Sequence, residues 1–286
     1  MKRHILTSVI LACLGLAACG TDSPVPGSAP VDVPVPTYNY VALGDSYAAM
    51  GSTSAETTGP DYCLRSSDNY PAGVLSDAQV TGLDATCQGA VTADLLRPRD
   101  AGSEIIPAQV DALADSTDLV TLSIGGNDIG FGDIAGCFLM AMHTRQASNC
   151  AAAWEAPVSA RVAELPGRLD EVYRAIDERS EGARVIATGY LPLLAPGERC
   201  AEVEVLSDTD RAWVVSLSED INRVVAEAAA RHDAETVLPA AAADHTGCAE
   251  PGQRWVDFLG WQTGAFPMHP TPVGQAVMAE EVLAQL

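Results

Sequence analysis

Two short apolar runs, each stopped by a glycine-containing polar turn, constrain this chain more than any other feature. Residues 38–43 run into Gly44-Asp45-Ser46, and residues 119–124 run into Gly125-Gly126-Asn127-Asp128. Apolar runs of this length read as strands buried on both faces. Glycine beside Asn, Asp or Ser marks the turn that ends each one. Residues 184–188, stopping near Gly189, make a third run, residues 236–238 a fourth, and a further short strand is expected around residues 79–80 or just after.

Helical patterns lie between these runs. Trp213, Val214, Leu217, Ile221, Val224, Val225 and Ala228 recur at three- and four-residue steps. Ser207 suits the cap of that helix, and Asp208 and Asp210 suit its first turn. Residues 162–176 and 273–286 also read as helices, with Pro166 expected to interrupt the former. Buried strands alternating with helices predict one α/β domain over residues 38–286, built on a parallel sheet covered on both faces. In such sheets ligands bind beyond the carboxyl ends of the strands. The polar turns fall at those ends.

The chain has 286 residues, 48% of them hydrophobic, which excludes disorder over its whole length. Against 38 acidic residues stand 16 Lys and Arg, a formal charge of −22 with no basic cluster, so nucleic acid is not an expected partner. Residues 1–18 read as an export signal: Lys2 and Arg3 precede an apolar core too short to stay in a bilayer as a spanning helix. The stretch Leu16-Ala17-Ala18-Cys19 resembles a lipobox, in which Cys19 is acylated and becomes the new N-terminus; the other reading is an ordinary secretory cut near Ala18. Residues 19–37, with prolines at 24, 26, 30, 34 and 36, form a linker expected to hold the domain clear of a membrane.

Cys13 belongs to the leader, which leaves Cys63, Cys87, Cys137, Cys150, Cys200 and Cys248 in the domain. Six cysteines in an exported domain imply three disulfides, with about 15 pairings open. Sequential pairing is the simplest: Cys63–Cys87, Cys137–Cys150 and Cys200–Cys248. No C-x-x-C spacing occurs, so no metal is expected.

Ser46 stands on a tight turn where a hydroxyl can face a cleft; taken alone it is more readily a helix cap. The G-x-S-x-G elbow is absent. Asn127 offers two N–H donors from a neutral side chain, the kind of group that stabilises an oxyanion, although Gly, Asn and Asp together also make ordinary turns. Gly89, in Cys87-Gln88-Gly89-Ala90, would let a substrate oxygen approach the backbone. His269 lies in a Pro-rich loop just before the last helix and suits a general base. Among the other histidines outside the leader, His232 sits at a helix end, His143 on a surface helix, and His245 is the one rival.

The order of these motifs along the chain resembles the SGNH (GDSL-type) hydrolase family over nearly all of residues 38–286. The cysteine positions and the stretch around Asp244, His245, Cys248 and Trp255 are similar to disulfide-rich actinobacterial secreted lipases and esterases of that family. The resemblance implies a flavodoxin-like, three-layer α/β/α fold. It implies Ser46 as nucleophile, His269 as base, and the Ser46 N–H, Gly89 and Asn127 as the oxyanion hole. The family commonly carries Asp three residues before the histidine; here that position is Phe266, so its backbone carbonyl is the expected acceptor for Nδ1–H. Asp257 or Asp244, brought in by the fold, would restore a triad. The implied activity is carboxylic ester hydrolysis through an acyl-enzyme, without cofactor, by a monomer acting on a small-molecule or lipid ester. Deacetylation of envelope polysaccharide, or envelope binding without catalysis, are the competing readings.

Overall fold

The computed structural model describes residues 37–286. The export signal, Cys19 and all of the linker but Thr37 lie outside the described residues. Five parallel strands form the central sheet: β1 (Tyr38–Gly44), β2 (Val80–Asp84), β3 (Leu119–Ser123), β4 (Arg184–Thr188) and β5 (Glu235–Val237), in spatial order β2-β1-β3-β4-β5. This 2-1-3-4-5 order is the flavodoxin-like doubly wound arrangement, which leaves a crevice where the order reverses, between β1 and β3. In register, Gly44 faces Ser123 across that point.

Among the described residues eight α-helices accompany the sheet: α1 (Ser46–Ala49), α2 (Tyr70–Leu75), α3 (Thr92–Leu96), α4 (Gly126–Ile129), α5 (Phe131–Thr144), α6 (Cys150–Arg179), α7 (Asp208–Arg231) and α8 (Pro272–Leu283). Alternate residues of one strand serve opposite layers. Val41 and Leu43 of β1 join Phe138, Leu165 and Ile221 of α5, α6 and α7, whereas Tyr40 and Ala42 join Val74 of α2 and Met278 and Val282 of α8. Period-two alternation with both sets apolar is what a strand between two helical layers requires.

Several boundaries differ from the sequence reading. The short strand expected at 79–80 or just after is β2, which runs through Asp84; it is an edge strand whose middle is exposed, so it lacks the apolar run that marks β1 and β3. The last strand ends one residue earlier than expected, leaving Leu238 exposed. Pro166 does not interrupt its helix: α6 runs 30 residues with both Pro157 and Pro166 inside it. Each proline forfeits a backbone hydrogen bond. Burial of Val158, Leu165, Leu169, Val172 and Ile176 along one face outweighs that loss. The α6 N-terminus is held by Asp210, which accepts from the Cys150 and Ala151 amides at 3.1 and 2.7 Å. Ser207 caps α7 by accepting from the Asp210 amide at 3.1 Å.

The six cysteines form Cys63–Cys87, Cys137–Cys150 and Cys200–Cys248. The first ties the Gly89 loop to a small ribbon (Thr57–Thr58 against Arg65–Ser66), and the second ties α5 to the start of α6. Among the described residues no helix is long and apolar enough to cross a membrane.

Candidate active site

The turn after β1 is held from three sides. A Cβ on Gly44 would stand 2.6 Å from the Ser123 carbonyl oxygen, so only glycine lets β1 approach β3 this closely. The buried Gln109 side chain brackets Gly44, accepting from its N–H at 2.7 Å and donating to its carbonyl at 2.8 Å. The Asp45 amide donates to Ser123 O at 2.9 Å. The Asp45 carboxyl then caps α1 by accepting from the Tyr47 amide at 2.9 Å, which leaves Ser46 as the first residue of that helix.

Asp45 is buried, and desolvation pushes its carboxyl up to about 7, against the lowering effect of a hydrogen bond from the Tyr190 hydroxyl at 2.6 Å. The same phenol oxygen accepts from the Gly126 amide at 2.8 Å. Burial, with Asp45 beside it, raises the Tyr190 phenol well above its ordinary range, so it stays protonated. The Asn127 side chain projects from α4 and donates one N–H of Nδ2 to the Ala90 carbonyl at 3.0 Å. Its second N–H remains for another acceptor.

Gly89 lies on an exposed turn with φ +65°. The Arg99 guanidinium donates to the Gln88 carbonyl at 2.8 Å and lies over the Tyr62 ring at 4.8 Å. In a trans peptide the N–H points opposite its carbonyl, so this bond fixes the direction of the Gly89 N–H.

His269 arrives from the far end of the chain on a two-residue antiparallel ribbon, β6 (Val256–Asp257) against β7 (His269–Pro270). Its Nδ1 bonds a backbone carbonyl, but that of Pro267, at 2.7 Å, not that of Phe266 as expected. The Phe266 carbonyl instead accepts from the His269 amide at 3.2 Å and closes the turn, with Met268 at φ +63°, and this leaves the next carbonyl facing the ring. Nε2 is buried and has no hydrogen-bond partner. Desolvation holds the imidazole below its ordinary pKa, only partly offset by the Pro267 bond. Tyr47 connects the two ends of the chain: its hydroxyl donates to the Met268 carbonyl at 3.1 Å, and its ring lies 5.4 Å from the His269 ring.

Neither aspartate restores a triad. Asp257 faces His269 in the ribbon, yet its buried carboxylate accepts from Thr263 Oγ1 at 2.8 Å and the Leu259 amide at 3.0 Å, with Arg254 3.7 Å away. Asp244 is exposed on a 3-10 turn. His245 stacks on Trp255 at 4.1 Å and bonds Gln253 O, away from this site. His232 caps the end of α7 and bonds the Asp170 carboxylate at 3.0 Å.

Ser46, Asn127 and His269 line one cavity of about 140 Å³. Gly89 is not on its wall, although its loop reaches Asn127 through Ala90. Most of the remaining wall is apolar, with Phe131, Ile134 and Phe138 of α5, Val214 and Leu217 of α7, and Leu191 and Leu193 after β4; Asp45 and Ser218 also reach it. Among the described residues no group of three His, Cys, Asp or Glu side chains is disposed to hold a metal. Tyr190, Tyr47, Gln109 and Pro267 were not singled out from sequence. Only Tyr190 carried a usable signal, since it follows Gly189 at a strand end.

Residues 42–277 match the family model for the GDSL-like lipase/acylhydrolase family. A Streptomyces coelicolor protein named Lipase 2 is 31% identical over 289 residues, covering 98% of this chain and 96% of the relative. The crystal structure of an extracellular lipase from Streptomyces rimosus superposes with a TM-score of 0.72 at 32% identity, over 87% of this chain and 99% of that one. That of phospholipase A1 from Streptomyces albidoflavus gives 0.72 at 31% identity over the same shares.

Proposed function

Since the chain belongs to the GDSL-like lipase/acylhydrolase family and is a carboxylic ester hydrolase, we propose that it cleaves acyl esters through a Ser46–His269 dyad. His269 Nε2 takes the Ser46 proton as Oγ attacks the ester carbonyl. The Pro267 carbonyl holds the Nδ1–H tautomer, and the free Asn127 N–H, with the Ser46 and Gly89 N–H groups, stabilises the oxyanion. The alcohol leaves with the proton from His269. Water, activated by the same imidazole, then releases the acid.

The substrate class rests on one observation: the cavity beside Ser46 is walled by α5 and α7 with apolar side chains. That wall fits the acyl chain of a lipid ester. Each buried methylene is worth about 0.8 kcal/mol, so kcat/KM should climb about fourfold per carbon until the cavity is full. A series of p-nitrophenyl esters from acetyl to palmitoyl tests this. A maximum at acetyl would overturn the lipid reading in favour of deacetylation of sugars; inactivity on the whole series would leave a binding protein. Fluorophosphonate should label the wild type and not Ser46→Ala.

Three disulfides and the extracellular lipase relative support export. We further propose that Cys19 carries the acyl anchor, which would hold the monomeric domain beside lipid substrate. Release of a Cys19→Ala variant into the medium, with the wild type staying in the membrane fraction, is the expected result.

A further inference from the structure

We infer that Tyr190 is a positioning residue which sets the spacing between the nucleophile turn and the oxyanion turn through its phenol oxygen alone. The inference rests on the roles proposed above for Ser46 and Asn127. The hydroxyl donates to Asp45, the residue before Ser46, at 2.6 Å, and accepts from Gly126, the residue before Asn127, at 2.8 Å. One oxygen therefore bridges the two turns at the β1/β3 switch point, each bond falling one residue from a reacting group.

The bridge is anchored from behind. Asn222 of α7 brackets the Tyr190 backbone, accepting from its amide at 2.7 Å and donating to its carbonyl at 2.9 Å. The ring is fixed edge-on against Tyr47 at 5.0 Å and Phe131 at 5.2 Å. A phenol so confined cannot follow either turn if it shifts. Tyr190 lines the cavity, but its oxygen is already committed at both ends, to Asp45 and to the Gly126 amide. Its effect on the reaction therefore passes through Asn127 and Ser46, because oxyanion donors act only when already aimed at the developing charge.

Tyr190→Phe removes one atom and keeps the packing. It leaves the Gly126 amide without an acceptor and frees α4 to move relative to Ser46. Transition-state stabilisation should fall and ground-state binding should not, giving kcat on a short ester down about tenfold with KM unchanged. A purely structural tyrosine would lower stability without that split. The decisive measurement is a double-mutant cycle on a p-nitrophenyl ester with Asn127→Ala. If the phenol acts through Asn127, Tyr190→Phe should cost less than twofold in the Asn127→Ala background. Full additivity, or a Tyr190→Phe enzyme with wild-type kcat, would overturn the inference. Ser46→Ala in the same assay keeps the two readings apart: residual wild-type activity there would refute the proposed mechanism, whereas an inert Ser46→Ala beside an unaffected Tyr190→Phe would refute only the role of Tyr190. Asn222→Ala, which loosens the anchor without touching the phenol, should reproduce the kcat loss in part.

Discussion

The Ser46 turn and the His269 loop each present one reacting side chain to the same cavity, yet they are held by different means. The Ser46 turn is built on the edge of two neighbouring parallel strands and is bonded by Gln109, Ser123 and Tyr190, all buried or nearly so. The His269 loop hangs on a ribbon of two residues a side, and its imidazole rests on a neutral carbonyl. Nature places the carboxylate in such loops as the orienting group in a triad. Here Asp257, opposite His269 in the ribbon, instead holds its own loop together through Thr263 and the Leu259 amide. The contrast teaches that orientation of the base needs only a fixed acceptor, whereas spacing of the oxyanion donors needs a rigid frame. A neutral acceptor favours the imidazolium less than a charged one does, since charge-assisted bonds are roughly twice as strong.

The contrast can be broken most severely at the base. His269→Ala should reduce kcat by about 10⁶-fold, as loss of a proton acceptor does in acting together with a serine. Stopped assays with enzyme in excess would measure the residue, and retention of more than a hundredth of the activity would mean that another base serves Ser46. On the frame side, Asn127→Ala should lower kcat by about 10²–10³-fold with KM nearly constant, because the donor it removes acts on the transition state. A change confined to KM would instead mark Asn127 as a binding group.

The least change is expected at the carboxylate opposite the base. Asp257→Asn should lower kcat less than tenfold, against about 10⁴-fold for the orienting carboxylate of a triad. Its pH profile should match the wild type. Only neutral His269 can accept the Ser46 proton, so kcat/KM falls as pH drops through the imidazole pKa. Desolvation puts that pKa below about 6.5, and activity should persist into mildly acidic solution. The stability consequence has the same sign. An imidazole harder to protonate when folded makes the unfolded chain bind more protons, so folding weakens as pH falls below about 6.5. A profile whose acid limb shifts in Asp257→Asn would reveal a carboxylate acting on the base after all.

Much of the sheet could be read directly. β1 and β3 announce themselves because central parallel strands are apolar on both faces, and Gly44 and Gly125 end them where the chain must turn. β2 is located only loosely by the sequence, because an edge strand with an exposed middle carries no such signature. Pro166 misled because a local penalty says nothing about the neighbouring helices that a 30-residue helix packs on. At the site, Ser46, Asn127 and His269 were legible as motif residues, and Phe266 pointed to a carbonyl acceptor one residue away from the real one. Which carbonyl faces a ring depends on the sign of φ at Met268, a torsion that no residue type dictates there.

Amino-acid order by itself therefore determined the layers, the order of the chemistry-bearing turns and the absence of an aspartate three places before His269. Those are matters of periodicity and residue type, and both are local. Tertiary structure alone decided that Asp257 belongs to its own loop, that Pro267 receives the imidazole N–H, and that Tyr190 stands between Asp45 and Gly126. Each of these is a competition among groups far apart in the chain for a single hydrogen-bonding partner, and its outcome is fixed only when packing has set the distances.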